Sequence, residues 1–234
     1  MSLPNHIVIV PDGNRRWAKQ KNRPAFFGHQ AGAKALEKIM QTALDLEIPC
    51  LTVWGCSVAN VTERSAAEVK FLFKLFEIYF KKLLKRKELV NRDIRVNVLG
   101  RWPEFFPPGT QKPIRELIQK TAKHKRHQLT FLMAYSGTDE MVQAFEAMAK
   151  DVREDKNAPV NAFTLKNHLW SKDLPPVDLV IRTGGEPHWS AGMMMWDVAE
   201  ARLYFTKTYW PAFTPAEFKK ALSQYSKTER RYGK

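Results

Sequence analysis

The sequence predicts a single α/β domain with a mainly parallel central sheet surrounded by helices. Three observations lead to this prediction. Short runs rich in β-branched and other apolar residues recur along the chain, turn residues follow each run, and helical periodicity fills the intervals between the runs. Because strands that alternate with helices are typical of parallel sheets, the pattern indicates this fold class.

The predicted strands and helices alternate in chain order. The strands are residues 6–10, 50–56, 94–99, 129–135 and 177–182. Between the first two strands, apolar side chains recur at helical spacing at Leu36, Ile39, Met40 and Ala43. Similar periodicity elsewhere completes the set of predicted helices, which are residues 30–46, 66–89, 113–124, 140–153 and 164–169.

The composition is typical of one domain, residues 1–234. Of the 234 residues 44% are hydrophobic, enough for one sizeable core, and no linker rich in Pro, Ser or Gly divides the chain. No apolar run approaches the roughly 18 residues of a membrane span. Cys50 and Cys56 lack metal-ligand spacing, and no secretory signal precedes them. We therefore expect a soluble, cytoplasmic protein with two reduced, buried thiols.

The formal net charge of +14 indicates an anionic partner. Nucleic acid, a membrane surface or a phosphorylated small molecule would each satisfy this charge. Many lysines, such as Lys81, Lys82 and Lys85, have the spacing of a solvated helix face. Because no RNA-binding signature, zinc finger or basic heptad pattern accompanies them, we expect no nucleic acid as a partner.

Residues 7–17, Ile-Val-Ile-Val-Pro-Asp-Gly-Asn-Arg-Arg-Trp, predict a site for phosphate and a metal ion. Asp12 follows a buried strand directly, at the carboxyl end where ligands bind in open α/β sheets. Gly13 and Asn14 permit the backbone to turn its N–H groups toward an anion, and Arg16 begins a predicted helix. An ordinary strand-to-helix turn with solvated charges is the alternative, and the residues downstream must decide.

Phosphate-binding residue types follow all five predicted strands. Since the carboxyl ends of parallel strands share one edge of a sheet, these residues predict a common rim. The rim residues are Asp12, Gly13, Asn14, Arg16, Ser57, Asn60, Gly100, Arg101, residues 135–137 and residues 182–186.

Ordered motifs along nearly the whole chain resemble the cis-prenyltransferase family of undecaprenyl and dehydrodolichyl diphosphate synthases. The matching segments are residues 6–17 (HIVIVPDGNRRW), 28–34 (GHQAGAK), 57–69 (SVANVTERSAAEV), 135–142 (YSGTDEMV), 178–190 (DLVIRTGGEPHWS), 203–206 (LYFT), 210–213 (WPAF) and 229–233 (ERRYG). The resemblance implies an enzyme that joins isopentenyl diphosphate to an allylic diphosphate, farnesyl or shorter, with Mg²⁺ as cofactor.

The resemblance also implies roles for individual residues. Asp12 would bind Mg²⁺ and assist loss of pyrophosphate, and a single hard oxygen ligand suits this ion. Asn60 is the second residue implied to be catalytic, and it lies in the loop that in the family closes over the substrates and positions the attacking alkene. The residues implied to bind the allylic diphosphate are Gly13, Asn14, Arg15, Arg16, Trp17, His29, Ser57 and Arg64. Those implied to bind isopentenyl diphosphate are Arg182, His188, Ser190, Arg231 and Gly233, the last two reaching across a homodimer interface.

A hydrophobic tunnel for the growing chain is the third implication. The predicted helix 66–89 has apolar side chains around most of its circumference; core packing explains most of them, and in the family the corresponding helix lines the tunnel. Its apolar residues include Phe71, Phe73, Leu75, Phe76, Ile78 and Phe80. Small Gly55 and Cys56 leave room near the pocket, whereas Phe131 and Met133 predict a floor, so the sequence leaves the product length open.

Several positions depart from the family pattern. Ala25 stands where an arginine is usual, although Arg23 is two residues away. His188 replaces the second arginine of the isopentenyl site and is a weaker, pH-dependent donor. Arg202 stands where many bacterial members have a glutamate that serves as a second metal ligand. Glu200 is a poor candidate for that role, because it is out of register with this position. Arg202 could instead contact a diphosphate directly.

The loop that contains Asn60 also departs from the pattern. The spacing from Asn60 to Arg64 is one residue longer than in the common form, and Val61 replaces the usual tryptophan.

Three interpretations follow from these departures. We favour an active homodimer at the cytoplasmic side of a membrane, with possible peripheral contact through its positive surface. The first alternative is a branching or cyclising condensation of short allylic diphosphates on the same fold. The second is a non-catalytic subunit that supports a catalytic partner, although retention of Asp12, Gly13 and Asn14 with the arginines argues against it.

Overall fold

The computed structural model describes residues 3–227 and contains a sheet of six parallel strands. The strand order is β3-β4-β2-β1-β5-β6. The strands are β1 (His6–Val10), β2 (Cys50–Trp54), β3 (Ile94–Leu99), β4 (His127–Leu132), β5 (Leu179–Arg182) and β6 (Arg202–Phe205). Every pairing is parallel, so all carboxyl ends lie at one edge.

Helices cover the sheet, as the sequence predicts. Those in the described residues are α1 (Asn14–Gln20), α2 (Ala25–Asp45), α3 (Val58–Thr62), α4 (Ala66–Leu84), α5 (Glu88–Asn91), α6 (Trp102–Phe105), α7 (Pro108–Thr121), α8 (Gly137–Glu154), α9 (Ala162–His168) and α10 (Pro215–Lys227). A short 3-10 helix, Trp210–Ala212, precedes α10. The predicted fold class is therefore confirmed.

Differences from the predicted elements have local causes. The edge strand β6 was not predicted as a strand, because it is short and, unlike the fully buried β5, alternates partly buried and exposed side chains instead of forming a continuous apolar run. The predicted helix 66–89 ends at Leu84, and α5 begins at Glu88 after a break. Helix α7 begins at Pro108 rather than Pro113, because a proline in the first turn needs no intrahelical donor.

The central strand β1 is buried on both faces. Ile7 and Ile9 point to the side covered by α2 and α4, where they join a large apolar cluster with Ile39 and Phe80. Val8 and Val10 point to the other side and pack in a second cluster. Successive side chains alternate across a strand, so one short apolar run supplies both layers of the core.

Two further expectations concern the cysteine thiols and membrane-spanning segments. Cys50 and Cys56 are free and buried, and burial raises the pKa of Cys56 to about 12. Among residues 3–227, no helix has both the length and the apolar character needed to cross a bilayer.

Candidate active site

A cavity of about 600 Å³ opens at the carboxyl ends of β1, β2 and β5. Its two ends differ in chemistry. The polar end is lined by Asp12, Gly13, Asn14, Arg15, Arg16, His29, Ser57, Asn60, Arg64, Arg182, His188 and Ser190. The apolar end, between α2, α4 and the sheet, is lined by Leu36, Val53, Leu72, Leu75, Phe76, Tyr79, Phe80, Phe131 and Met133.

Hydrogen bonds from two other segments fix the main chain of Asp12. Its N–H donates to Oγ1 of Thr183 at 2.9 Å, and the Thr183 hydroxyl lies 2.9 Å from the Asp12 carbonyl oxygen. The N–H of Trp210 donates to the same carbonyl oxygen at 2.9 Å. The residue after β1 is thus held by the segments that follow β5 and β6.

The Asp12 carboxylate is the centre of a first charged cluster. Its Oδ1 accepts from the N–H of Gly13 at 2.6 Å and lies 3.1 Å from Nη2 of Arg16. Its Oδ2 accepts from Nη2 of Arg182 at 2.9 Å. Arg16 also pairs with Glu186 at 2.9 Å. Two guanidinium groups therefore converge on one carboxylate, an arrangement that fixes the orientation of the Asp12 side chain.

The turn after Asp12 requires glycine. Gly13 has φ of 100°, and a Cβ atom there would lie 2.5 Å from Cδ1 of Tyr209. A glycine accepts this left-handed conformation without a steric penalty. The turn directs the chain into α1 and places Asn14, Arg15 and Arg16 at the cavity wall.

Glu68 is the centre of a second charged cluster. Its Oε1 accepts from Nη1 of Arg64 at 2.7 Å and lies 3.4 Å from Nε2 of His29. Nη1 of Arg15 is 3.7 Å from Oε2. Burial alone would raise the pKa of Glu68, but Arg64, the His29 hydrogen bond and Arg15 hold it below its ordinary value. Burial lowers the pKa of His29.

Arg182 links Asp12 to the loop after β5. Its side chain is 5% exposed, and Nη1 donates to Oγ of Ser190 at 2.5 Å and to the carbonyl of His188 at 2.9 Å. Within the described residues, Nε of Arg182 is buried and has no hydrogen-bond partner. Buried donors are normally paired, so this N–H is available to an anionic ligand in the cavity.

Ser57 and Asn60 form a capping box at the start of α3. Oγ of Ser57 accepts from the N–H of Asn60 at 3.0 Å, and Oδ1 of Asn60 accepts from the N–H of Ser57 at 3.2 Å. The amide oxygen of Asn60 is thereby used within the protein. Its amide NH₂ group remains as a donor for a ligand in the cavity that Asn60 lines.

The structure brings most of the predicted site residues to this cavity and places others elsewhere. Trp17 is not in the lining; its ring stacks on Phe27 at 5.7 Å. Arg231 and Gly233 lie outside the described residues, so their predicted role is untouched by the structure.

The predicted common rim was too broad. Strand β3 is an edge strand, separated from β1 by β4 and β2, and Gly100, Arg101 and Tyr135 do not line the cavity. Arg101 instead pairs with Glu104 and Asp139, at 2.6 and 2.9 Å. The carboxyl end of β4 contributes apolar residues in place of the expected polar ones.

The departures from the family pattern also have structural positions. Ala25 is absent from the lining, and Arg23 lies over the ring of Phe27 at 5.7 Å. Nη1 of Arg202 donates to the carbonyl oxygen of Tyr225 at 2.5 Å, and the guanidinium group also lies over the Tyr225 ring. The suggestion that Arg202 contacts a diphosphate in this cavity is therefore corrected, because its side chain points to α10.

Glu68 was missed as a site residue at the level of sequence. Glu68 lies four residues after Arg64, the spacing of an ion pair along a helix, and this signal could have identified it. The predicted tunnel helix was correct only in part, because Leu75, Phe76 and Phe80 line the cavity, whereas Phe71, Phe73 and Ile78 do not. Leu72, Leu75 or Phe76, and Tyr79 recur at helical spacing and form the face of α4 toward the tunnel. Thr183 belongs to the predicted rim segment 182–186, but no sequence signal predicts its contact with Asp12, because only the packing of β5 beside β1 brings the two residues together.

Aromatic side chains close the apolar end of the cavity. Phe80 and Phe131 meet edge to face at 5.3 Å, and both line the cavity. Tyr79 donates its hydroxyl to Sδ of Met40 at 3.5 Å, and burial raises its pKa. A second cavity of about 50 Å³, lined by Met40, Leu83 and neighbouring residues, lies between the same helices nearer the amino ends of the strands.

The donor set allows a Mg²⁺ ion only with help from a ligand. Within residues 3–227, no group of three or more His, Cys, Asp or Glu side chains could hold a metal ion. Asp12 supplies a hard carboxylate at the cavity wall, and Mg²⁺ commonly takes one or two carboxylates and completes its shell with substrate phosphates and water. Asp12 and a bound diphosphate therefore suit this ion.

Comparisons with known proteins find relatives that cover nearly the whole chain. Residues 10–233 match the sequence profile of a family described as putative undecaprenyl diphosphate synthase. An isoprenyl transferase of Thermotoga maritima is 38% identical, over 100% of this chain and 98% of its own. A tritrans,polycis-undecaprenyl-diphosphate synthase (geranylgeranyl-diphosphate specific) of Thermococcus kodakarensis is 35% identical. The match covers 100% of this chain and 88% of the relative.

A solved structure is similar over the whole chain. It is lavandulyl diphosphate synthase from Lavandula x intermedia in complex with dimethylallyl diphosphate, with a TM-score of 0.91, 29% sequence identity and coverage of 99% of both chains.

Proposed function

The chain belongs to the undecaprenyl diphosphate synthase family of prenyltransferases, and we propose that it condenses isopentenyl diphosphate with an allylic diphosphate to give a cis-polyprenyl diphosphate, with Mg²⁺. One observation carries the proposal. A single cavity of about 600 Å³ has arginines of two charged clusters, centred on Asp12 and Glu68, at its polar end and an apolar channel at its other end. Two diphosphates and a hydrocarbon tail require this combination.

The proposed reaction begins with departure of pyrophosphate from the allylic substrate. Its C–O bond breaks, C4 of the isopentenyl alkene attacks the allylic carbon, and the departed pyrophosphate accepts the proton that C2 of the isopentenyl unit loses as the new double bond forms. Arg15, Arg16 and Arg64 would hold the leaving diphosphate, since donors aimed at developing charge stabilise the transition state. Mg²⁺, held by Asp12 and the diphosphate, would supply further neutralisation of that charge.

Isopentenyl diphosphate would bind near Arg182, His188 and Ser190. Arg182 is buried, and it already orders both the Ser190 hydroxyl and the His188 carbonyl. The unpaired Nε of Arg182 supports the presence of an anion beside it. Asn60 would orient the substrates through its free amide NH₂ group.

Incorporation of labelled isopentenyl diphosphate tests this proposal. The purified protein is incubated with dimethylallyl, geranyl, farnesyl and geranylgeranyl diphosphates, with Mg²⁺ or with a chelator. We expect products spaced by five carbons that require Mg²⁺ and that Asp12→Asn abolishes. Asp45→Asn is the control, because Asp45 is exposed on α2, where its side chain accepts a hydrogen bond from Gln41, and it does not line the cavity. No incorporation with any primer would contradict the proposal and favour a non-catalytic subunit.

A branching or cyclising condensation is a second candidate. The solved lavandulyl diphosphate synthase, in complex with a five-carbon allylic substrate, supports it through its TM-score of 0.91. The histidine at position 188 and the alanine at 25 also weaken contacts that the common pattern supplies. The same assay separates the two reactions, because branching gives one short product where elongation gives a ladder.

A homodimer is part of the proposal. Edge strand β6 presents Leu203 and Phe205, which are 47% and 41% exposed, and Trp189, Met195 and Trp196 in the preceding segment are also exposed. An exposed apolar edge of this kind favours association with a second copy. Leu203→Lys should shift the mass measured by light scattering to that of a monomer; an unchanged dimer would place the interface elsewhere.

Peripheral contact with a cytoplasmic membrane surface completes the proposal. Phe26 and Phe27 are 48% and 37% exposed, Lys21 lies over Trp17, and Arg23 lies over Phe27. Exposed aromatic and basic side chains together suit an anionic lipid surface. The protein should sediment with vesicles that contain anionic lipid, and Phe26→Ser should reduce this binding.

A further inference from the structure

Glu68 is a partly buried carboxylate to which the proposed reaction assigns no role. Its side chain is 18% exposed, and it has three cationic or potentially cationic neighbours, Arg15, Arg64 and His29. These three neighbours line the cavity, whereas Glu68 does not. Glu68 therefore sits behind the side chains that face a ligand.

The position of Glu68 gives it a defined electrostatic effect. A carboxylate within 4 Å of two guanidinium groups offsets part of their positive charge, and attraction between opposite charges is strong where water is partly excluded. A diphosphate in the cavity would bind the same N–H groups and would also be repelled by the carboxylate. Both effects reduce the affinity of the cavity for anions.

Glu68 also connects three elements around the polar end. Arg15 lies on α1, His29 on α2 and Arg64 just before α4, and Glu68 contacts all three. Its own N–H donates to Oγ of Ser65, which caps α4. Glu68→Gln removes the charge, and its amide oxygen can still accept from Arg64; the NH₂ group takes the place of Oε2, which lies 3.7 Å from Arg15.

We propose that Glu68 limits the affinity of the cavity for diphosphates, so that the pyrophosphate released by the reaction can leave. The part concerning product release rests on the proposed function. The affinity itself is a property of the folded protein and can be measured without turnover.

Titration calorimetry with inorganic pyrophosphate, in the absence of added metal, tests the inference. We expect Glu68→Gln to bind pyrophosphate about tenfold more tightly than the wild type, which corresponds to about 1.4 kcal/mol. The affinity should also fall more steeply with salt, because one more unpaired cation faces the anion. In the incorporation assay, pyrophosphate should inhibit this variant at lower concentration.

Glu77→Gln is the matched control. Glu77 lies on the same helix and pairs with Lys74 and Lys81, but neither it nor these lysines line the cavity. Its removal should leave pyrophosphate binding unchanged. Thermal unfolding of both variants, with and without pyrophosphate, shows that they are folded and gives a second measure of binding.

Unchanged or weaker binding in Glu68→Gln would overturn the inference, because it would show that the carboxylate orients the arginines rather than opposing the ligand. Binding in neither protein would overturn it as well. The failure of the proposed function is a separate result: it appears as absent incorporation of isopentenyl diphosphate, whatever the two pyrophosphate affinities are.

Discussion

Nη2 of Arg182 donates to Oδ2 of Asp12 at 2.9 Å, across the carboxyl ends of β5 and β1. The register Val10↔Arg182 in the parallel pair brings these residues together, although they are 170 positions apart in the chain. The contact joins the proposed metal-binding carboxylate to the proposed isopentenyl site. Two separate motifs of the sequence thus form one charged centre.

Arg182→Lys should raise the KM for isopentenyl diphosphate by about tenfold or more. Arg182 now contacts Asp12, Ser190 and His188 at once, and a lysine cannot reproduce a planar fork of donors. Steady-state kinetics with each substrate varied in turn checks this. Arg95→Lys is the control, because Arg95 pairs with Asp173 at the exposed side of β3. An unchanged KM would remove Arg182 from the proposed isopentenyl site.

Gly13→Ala should lower the free energy of unfolding by about 1–3 kcal/mol and abolish turnover. The cause is the φ of 100° and the 2.5 Å approach of a Cβ atom to Tyr209. Gly109→Ala is the matched comparison, because a Cβ atom there would come no closer than 3.7 Å to its neighbours. Gly109 lies in α7, so that change should stabilise slightly. Urea unfolding measures the stability of both variants. An equal change in the free energy of unfolding for Gly13→Ala and Gly109→Ala would contradict the steric argument.

Phe80→Leu should lengthen the product. Phe80 and Phe131 meet edge to face at the apolar end of the cavity of about 600 Å³, and a smaller side chain at position 80 would leave room there for a longer hydrocarbon. Chromatography of the products measures the shift. Phe218→Leu, at a fully buried position on α10, should cost similar stability, about 1 kcal/mol, without changing the product. Identical products from wild type and Phe80→Leu would locate the floor elsewhere.

Stability should fall as the pH drops below about 6.5, the ordinary pKa of histidine. Burial lowers the pKa of His6, whose ring nitrogens lie 2.7 Å from the Pro175 carbonyl and 2.8 Å from the Thr52 hydroxyl. The unfolded chain therefore takes up a proton before the folded protein does, and stability decreases by up to about 1.4 kcal/mol per pH unit. His29, whose pKa burial also lowers, contributes with the same sign.

Urea unfolding between pH 7.5 and 5.5 checks this dependence. His6→Asn should have a shallower slope than the wild type, whatever its stability at pH 7.5. An equal slope in both proteins would assign the pH dependence to other groups.

The agreement between sequence and structure is greatest where local pattern decides. β1 and β3 have their predicted bounds, and Asp12 lies directly beyond the end of a buried strand. The prediction was too broad at the rim, because phosphate-binding residue types follow β3 as well, yet Arg101 there pairs with Glu104 and Asp139. A residue type indicates what a side chain can bind, whereas its neighbours decide what it does bind.

The sequence by itself determined the α/β class, the order of most elements and the motif around Asp12, because hydrophobic periodicity and turn chemistry act over a few residues. Only the tertiary structure decided that β1 lies between β2 and β5, that Arg182 meets Asp12, and that Glu68 gathers Arg15, Arg64 and His29. The physical reason is that strand order and helix packing follow from burial of the whole core. Contacts between distant segments of the chain exist only once that core has formed.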